Sequence, residues 1–245
     1  MELFNMATLY YDRFIPVFIR IAVMISFIPF IGAAMTPLFV RAGFVLAFTL
    51  LVLPVANVDT ANPVKALFDA FFIGSAMGLS IRLIMSAIET AAQWMSIQMG
   101  FGMAAVFNPQ FGEQLGPLSL FYTYMGMVMF FMLGIHHVFI EGVMRSFEIG
   151  TLRFNSILQA ILVLNSYFFP LALKIAAPVL LVQTVIIVAN GFVAKTMPQA
   201  NIFFVGMPLQ IMLGFLFIIA SMSLSLMVIG RSFMHIKDAI ETITR

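Results

Sequence analysis

This sequence predicts an all-α, polytopic membrane protein, on three observations. Of its 245 residues, 62% are hydrophobic and 9% are charged, whereas a soluble domain is about half apolar and about a quarter charged. The mean hydropathy is +1.09. Apolar runs near the ~20 residues that carry a helix across a bilayer succeed one another along the chain. So few charges cannot cover a surface that faces water, so most of the chain must face lipid or protein.

The runs can be taken in order. Residues 21–40 lie between Arg20 and Arg41, and 42–58 follow at once. A polar turn from Asp59 to Asp69 comes next. Residues 70–107 are apolar but hold Arg82 and Glu89, and 117–140 form the longest clean run. A charged patch follows at Glu141, Arg145, Glu148 and Arg153, the first three spaced as a solvated helical ladder. Residues 154–173 and 175–194 are separated only by Lys174, and 209–230 lead into a polar tail from Arg231. Together these runs predict about six to eight apolar helices.

Pro29, Pro37, Pro54, Pro170 and Pro178 sit in or at the ends of apolar runs. Each frees a carbonyl and kinks a helix, which lipid tolerates only where neighbouring helices or water satisfy the backbone. Several segments are therefore expected to pack in protein, and hydropathy to overcount the true spans. No linker divides the chain, so residues 1–245 are expected to form one domain. The start carries Glu2 and Asp12 before its first Arg, unlike a cleavable signal peptide, so the first retained helix is expected to direct insertion. The net-negative Asp59–Asp69 turn suits the outer face, and Arg231, Lys237 and Arg245 suit a cytoplasmic C-terminus.

Much chemistry is excluded. Cysteine is absent, which removes disulfides, thiolate metal sites and cysteine nucleophiles. A net charge of +2 is too small for a nucleic-acid footprint. Phosphate-binding loops, a serine elbow and the HExxH zinc signature are missing. His136 and His137 are adjacent and so expected to point to different helix faces, a helix-end pair rather than a metal site. No enzyme, cofactor or metal is expected.

The informative stretch is residues 88–118. Gly100, Gly102, Pro109, Gly112 and Gly116 fall within 17 residues and cannot make a regular helix, yet Met99, Phe101, Met103, Val106, Phe107 and Phe111 keep the segment apolar. Irregular apolar backbone at membrane depth must be buried in protein or line a cavity. One reading is a pore constriction, the other an ordinary connecting loop. Arg82 and Glu89 lie seven apart near one helix face. They either face a bundle interior or aqueous path or sit at an interface. Methionines 95, 99, 103, 125, 127, 129 and 132 flank the broken segment, as core filling or as a deformable seal.

Three ordered blocks resemble the FliR family of flagellar export proteins. The first is FIRIAVMISFIPFIGAAMTPLFVRAGFVLAFTLLVLP. The second carries Gln98, Gly100, Gly102, Ala104, Asn108, Pro109 and Gly112. The third carries Pro198, Gln199, Asn201, Phe203, Gly206, Pro208 and Gly214. The blocks run through nearly the whole chain, and the glycine pattern is more similar to the flagellar branch than to the injectisome SctT relatives.

The resemblance implies a subunit of the flagellar type III export gate in the inner membrane, packed in a hetero-oligomer with FliP and FliQ family subunits. FlhB and FlhA family proteins would associate on the cytoplasmic side. Unfolded rod, hook and filament subunits would pass through. It implies a pore plug at Ala105, Val106, Phe107, Asn108, Pro109, Gln110, Phe111 and Gly112, with Gly100, Gly102 and Gly116 as hinges. Phe111 replaces a smaller polar residue, so the seal is expected to be more apolar. The rival reading is a secondary transporter for a small solute with its site in the broken 88–118 region. Against it, the two halves lack a matching pair of interrupted helices.

Overall fold

The computed structural model describes residues 2–28, 36–58, 62–101, 116–148, 154–196 and 202–244, with the side chains of 2–12, 148 and 202–205 left undescribed. Seven helices and no strand occur among these residues: α1 Glu2–Phe27, α2 Leu38–Val52, α3 Pro63–Gln98, α4 Pro117–Met132, α5 Ile135–Glu148, α6 Phe154–Thr196 and α7 Ile202–Ile243. The expected all-helical class is the observed one. Three helices, α3, α6 and most of α7, are long and apolar enough to cross a membrane, and α4 with α5 makes a fourth if the bent pair is one span.

The element boundaries differ from the apolar runs in four places, each with a local cause. The 21–40 run is not one helix, since α1 ends at Phe27 and α2 starts at Leu38. The 42–58 run stops early, because Leu53–Val55 form a turn around Pro54, which cannot donate to the helix ladder. The polar turn before α3 is shorter than expected, since Pro63 opens the helix at its first position, where a missing N–H costs nothing. The clean run at 117–140 is bent by 65° at Gly134, whose φ of 68° is the left-handed conformation that glycine adopts without penalty.

Lys174 does not divide the 154–194 region. It stands exposed on one continuous helix of 43 residues, about 65 Å long and twice the hydrocarbon thickness. Its long aliphatic stem lets the ammonium reach outward from an apolar helix.

The chain folds as two compact units. The first comprises residues 1–85, 130–166 and 233–245, the second 86–129 and 167–232. In the first unit α1 and α2 touch, and α3 packs on α1 through two glycines one turn apart. A Cβ on Gly74 would lie 2.5 Å from the Arg20 carbonyl oxygen, and one on Gly78 2.8 Å from that of Met24. Small residues at this spacing let two helix backbones meet, which is how helices associate where no hydrophobic drive exists. Val17, Ile21, Met24, Met77 and Ile81 fill the contact and are buried.

The spans differ in what they bury. The most apolar window of α3 is 61% buried, that of α6 39% and that of α7 22%. Thus α3 is packed inside the chain, while α6 and α7 turn Leu181, Val185, Phe192, Leu216 and Ile219 outward. An outward apolar surface of this kind belongs against lipid or another subunit.

Candidate functional site

The predicted plug residues, Ala105 to Gly112, and Gly102 and Met103 with them, lie outside the described residues. The structure does describe how the chain enters and leaves that segment, at Phe101 and at Gly116, and both ends belong to the second unit.

The entry is a helix stop. The Gly100 N–H donates to the Ile97 carbonyl at 3.1 Å and the Phe101 N–H to that of Ser96 at 3.0 Å. These are the paired bonds of a Schellman motif, and Gly100 takes the left-handed position with φ 89°. The sequence read Gly100 as a hinge. Its observed geometry is that of a terminator which ends α3 at a defined residue.

This stop is seated against α7. Phe101 meets Phe215 edge-on with ring centroids 6.1 Å apart. Met99, wholly buried, lies against Gly214, where a Cβ would come within 2.6 Å of it. A Cβ on Gly214 would also stand 2.7 Å from Gln183 Nε2 on α6. Gln183 is 0% exposed and donates that Nε2 to the Gln210 carbonyl on α7 at 2.7 Å. One turn on, Gly206 of α7 lies against Asn190 of α6. Gly206, Gln210 and Gly214 recur every four residues on one face of α7, facing Gln183 and Asn190, seven apart on α6. Small residues that allow close approach and amides that bond across it are the usual cement of helices in lipid.

The exit returns to α3. A Cβ on Gly116 would lie 3.8 Å from the Ser96 hydroxyl. Gly116 caps α4, its carbonyl accepting from Leu120 N–H at 3.0 Å. Most hydroxyls on these helices bond a carbonyl one turn back, as those of Ser80, Thr90, Thr123 and Ser221 do. The buried hydroxyls of Ser96 and Ser119 have no partner among the described residues, nor does Gln183 Oε1. Buried polar groups left open are rare, and Ser96 and Ser119 stand close in sequence to the two ends of the described chain here.

The remaining candidates separate. Arg82 is half-buried in the first unit and Glu89 buried in the second, and each makes interactions of its own. Met95 and Met99 are core residues, Met125, Met127 and Met129 are half-buried, and Met132 is exposed. The His136 and His137 rings, in the first turn of α5, do not diverge as expected but lie with centroids 4.0 Å apart, tilted by 41°. Among the described residues no three His, Cys, Asp or Glu side chains group as metal ligands.

Sequence reasoning passed over Arg20, Gln183 and the Gly74–Gly78 pair. The signal was available. Arg20 and Gln183 are lone polar groups in apolar runs, and two glycines four apart on a helix mark a close crossing.

Comparison with known proteins fits this architecture. Residues 12–236 match the family model described as bacterial export proteins, family 1. The chain is 29% identical to the flagellar biosynthetic protein FliR of Bacillus subtilis (strain 168), covering 91% of each chain. It is 28% identical to that of Caulobacter vibrioides over 84% of this chain and 87% of the relative. It is 30% identical to that of Aquifex aeolicus over 84% of both. A match across helices α1 to α7 at these levels makes the chain a member of the bacterial export proteins, family 1, the family of the flagellar biosynthetic protein FliR.

Proposed function

We propose that this chain is a structural and gating subunit of the flagellar type III protein export gate, in the bacterial inner membrane at the flagellar basal body. It passes unfolded rod, hook and filament subunits and makes or breaks no bond. One observation carries the gating role. Gly100 ends α3 in a Schellman stop, and the described chain resumes at Gly116, beside Ser96 of the same helix. A glycine-rich apolar stretch whose two flanking residues meet one helix can close a passage and yield without unfolding that helix.

In this reading Ala105, Val106, Phe107, Asn108, Pro109, Gln110, Phe111 and Gly112 are the plug. Gly102 and Gly116 give the segment its freedom and Gly100 sets where it starts. The outward apolar faces of α6 and α7 are covered by FliP and FliQ family subunits. FlhB and FlhA family proteins act from the cytoplasmic side, where the C-terminus lies. Co-expression with FliP and FliQ family subunits, followed by mass measurement of the purified complex, tests the assembly. A defined hetero-oligomer containing this chain is expected. A stable homo-oligomer that ignores those subunits would favour a solute transporter instead.

A further inference from the structure

The first unit holds a charged cleft that the gating role does not use. Glu141 and Arg145 on α5 and Lys237 and Glu241 on α7 line a cavity of about 150 Å³. Each helix brings one cation and one carboxylate at i,i+4, on one face. The floor is made by Gly142 and Ile240. A Cβ on Gly142 would collide with Ile240 and come within 3.1 Å of Met77, so glycine is what lets the two charged faces border one space.

We propose that this cleft binds the headgroup of a zwitterionic phospholipid that carries a primary amine. The charge pattern selects the class. Two cations and two carboxylates sum to zero, so a lone anion would meet Glu141 and Glu241 and a lone cation would meet Arg145 and Lys237. A phosphate one short linker from an ammonium satisfies both pairs. A primary ammonium donates N–H bonds to carboxylates, which a trimethylammonium cannot do. The Arg145–Glu141 pair is 2.6 Å long with side chains 54% and 60% exposed, and an exposed pair contributes little, so it can re-partner with the ligand.

Location favours lipid over a soluble ligand. The cleft lies where apolar α7 turns polar from Arg231, the level at which a lipid headgroup meets a spanning helix.

The test uses the full chain in its purified assembly. Native mass spectrometry measures retention of phosphatidylethanolamine, phosphatidylcholine and phosphatidylglycerol with identical acyl chains. Phosphatidylethanolamine is expected to be retained about ten-fold better than either. Lys237→Gln and Glu241→Gln should each remove that preference, and Lys237→Arg should keep it. Equal retention of the three lipids, or a preference for phosphatidylglycerol, overturns the proposal. So does a preference untouched by Lys237→Gln in an assembly of unchanged unfolding temperature. Should a variant fail to assemble, the series on the unaltered protein decides alone.

Discussion

Arg20 on α1 donates through Nη1 to the carbonyl oxygen of Ser146 at 2.8 Å and to its hydroxyl at 3.1 Å. Its guanidinium also lies 4.1 Å from the Phe147 ring centroid, and Asp69 on α3 adds its attraction. A cation on the last carbonyls of α5 suits the negative end of that helix. One side chain, 7% exposed, thereby ties α1 to α5 in the first unit.

Removing it should be costly. Arg20→Met leaves the Ser146 carbonyl and hydroxyl without their donor, and about 2 kcal/mol should be lost. Arg20→Lys keeps the charge but loses the planar stack and the fork of donors, so it should fall between. The unfolding temperature of the purified assembly is the readout, and wild-type stability in Arg20→Met would refute the tie.

Glycines on this chain should split into two classes. Gly74→Ala and Gly78→Ala push a methyl onto the backbone of α1 and should destabilise by about 1–3 kcal/mol. Gly43→Ala and Gly191→Ala meet nothing within 4 Å among the described residues and should be neutral or stabilising by about 0.5–1 kcal/mol. Comparing abundance of the four variants in membranes checks the division, and equal behaviour would count against the α1–α3 contact.

Gly100→Ala should strain the helix stop by about 1–2 kcal/mol, because its cost is conformational rather than steric: among the described residues a Cβ there meets only Gln210 Oε1, at 3.9 Å. Gly100→Asn, which tolerates the left-handed region better, should be milder. Secretion of hook protein by cells carrying each variant gives the order. Alanine performing as well as glycine would mean the stop is not needed.

Gln183→Leu should loosen the α6–α7 joint by about 1 kcal/mol through loss of the bond to the Gln210 carbonyl. Gly214→Ala should do more, since its methyl must displace both Met99 and Gln183. Because Met99 begins the helix stop that precedes residues 105–112, the proposed plug, both variants should raise ion leak before they abolish assembly. Leak unchanged in both, with assembly intact, would disconnect the joint from the gate.

The helical, membrane-embedded class was legible in composition and apolar run length, which depend only on the solvent the chain must face. Element boundaries were less so. Lys174 reads as a break in hydropathy but sits on a continuous helix, because its stem can carry the charge outward. Gly134 reads as one more small residue in an apolar run, yet it takes a positive φ and turns the helix. The approach of Gly74 to Arg20 and the joint of Gln183 with Gln210 join residues 54 and 27 apart in sequence, and neither periodicity nor charge pattern encodes such pairs. Of the candidate site, the helix stop was visible in Gly100, while its seating on Ser96, Met99, Gln183 and Gly214 required the fold.

The central claim is that residues 106–112 close a passage which the rest of the chain supports. The direct measurement is ion permeability of membranes holding the assembled complex, with the full chain or with 106–112 deleted. The account predicts a complex of unchanged composition that leaks small ions when the segment is missing. A correctly assembled deletion complex whose membrane stays as tight as the wild type would contradict it.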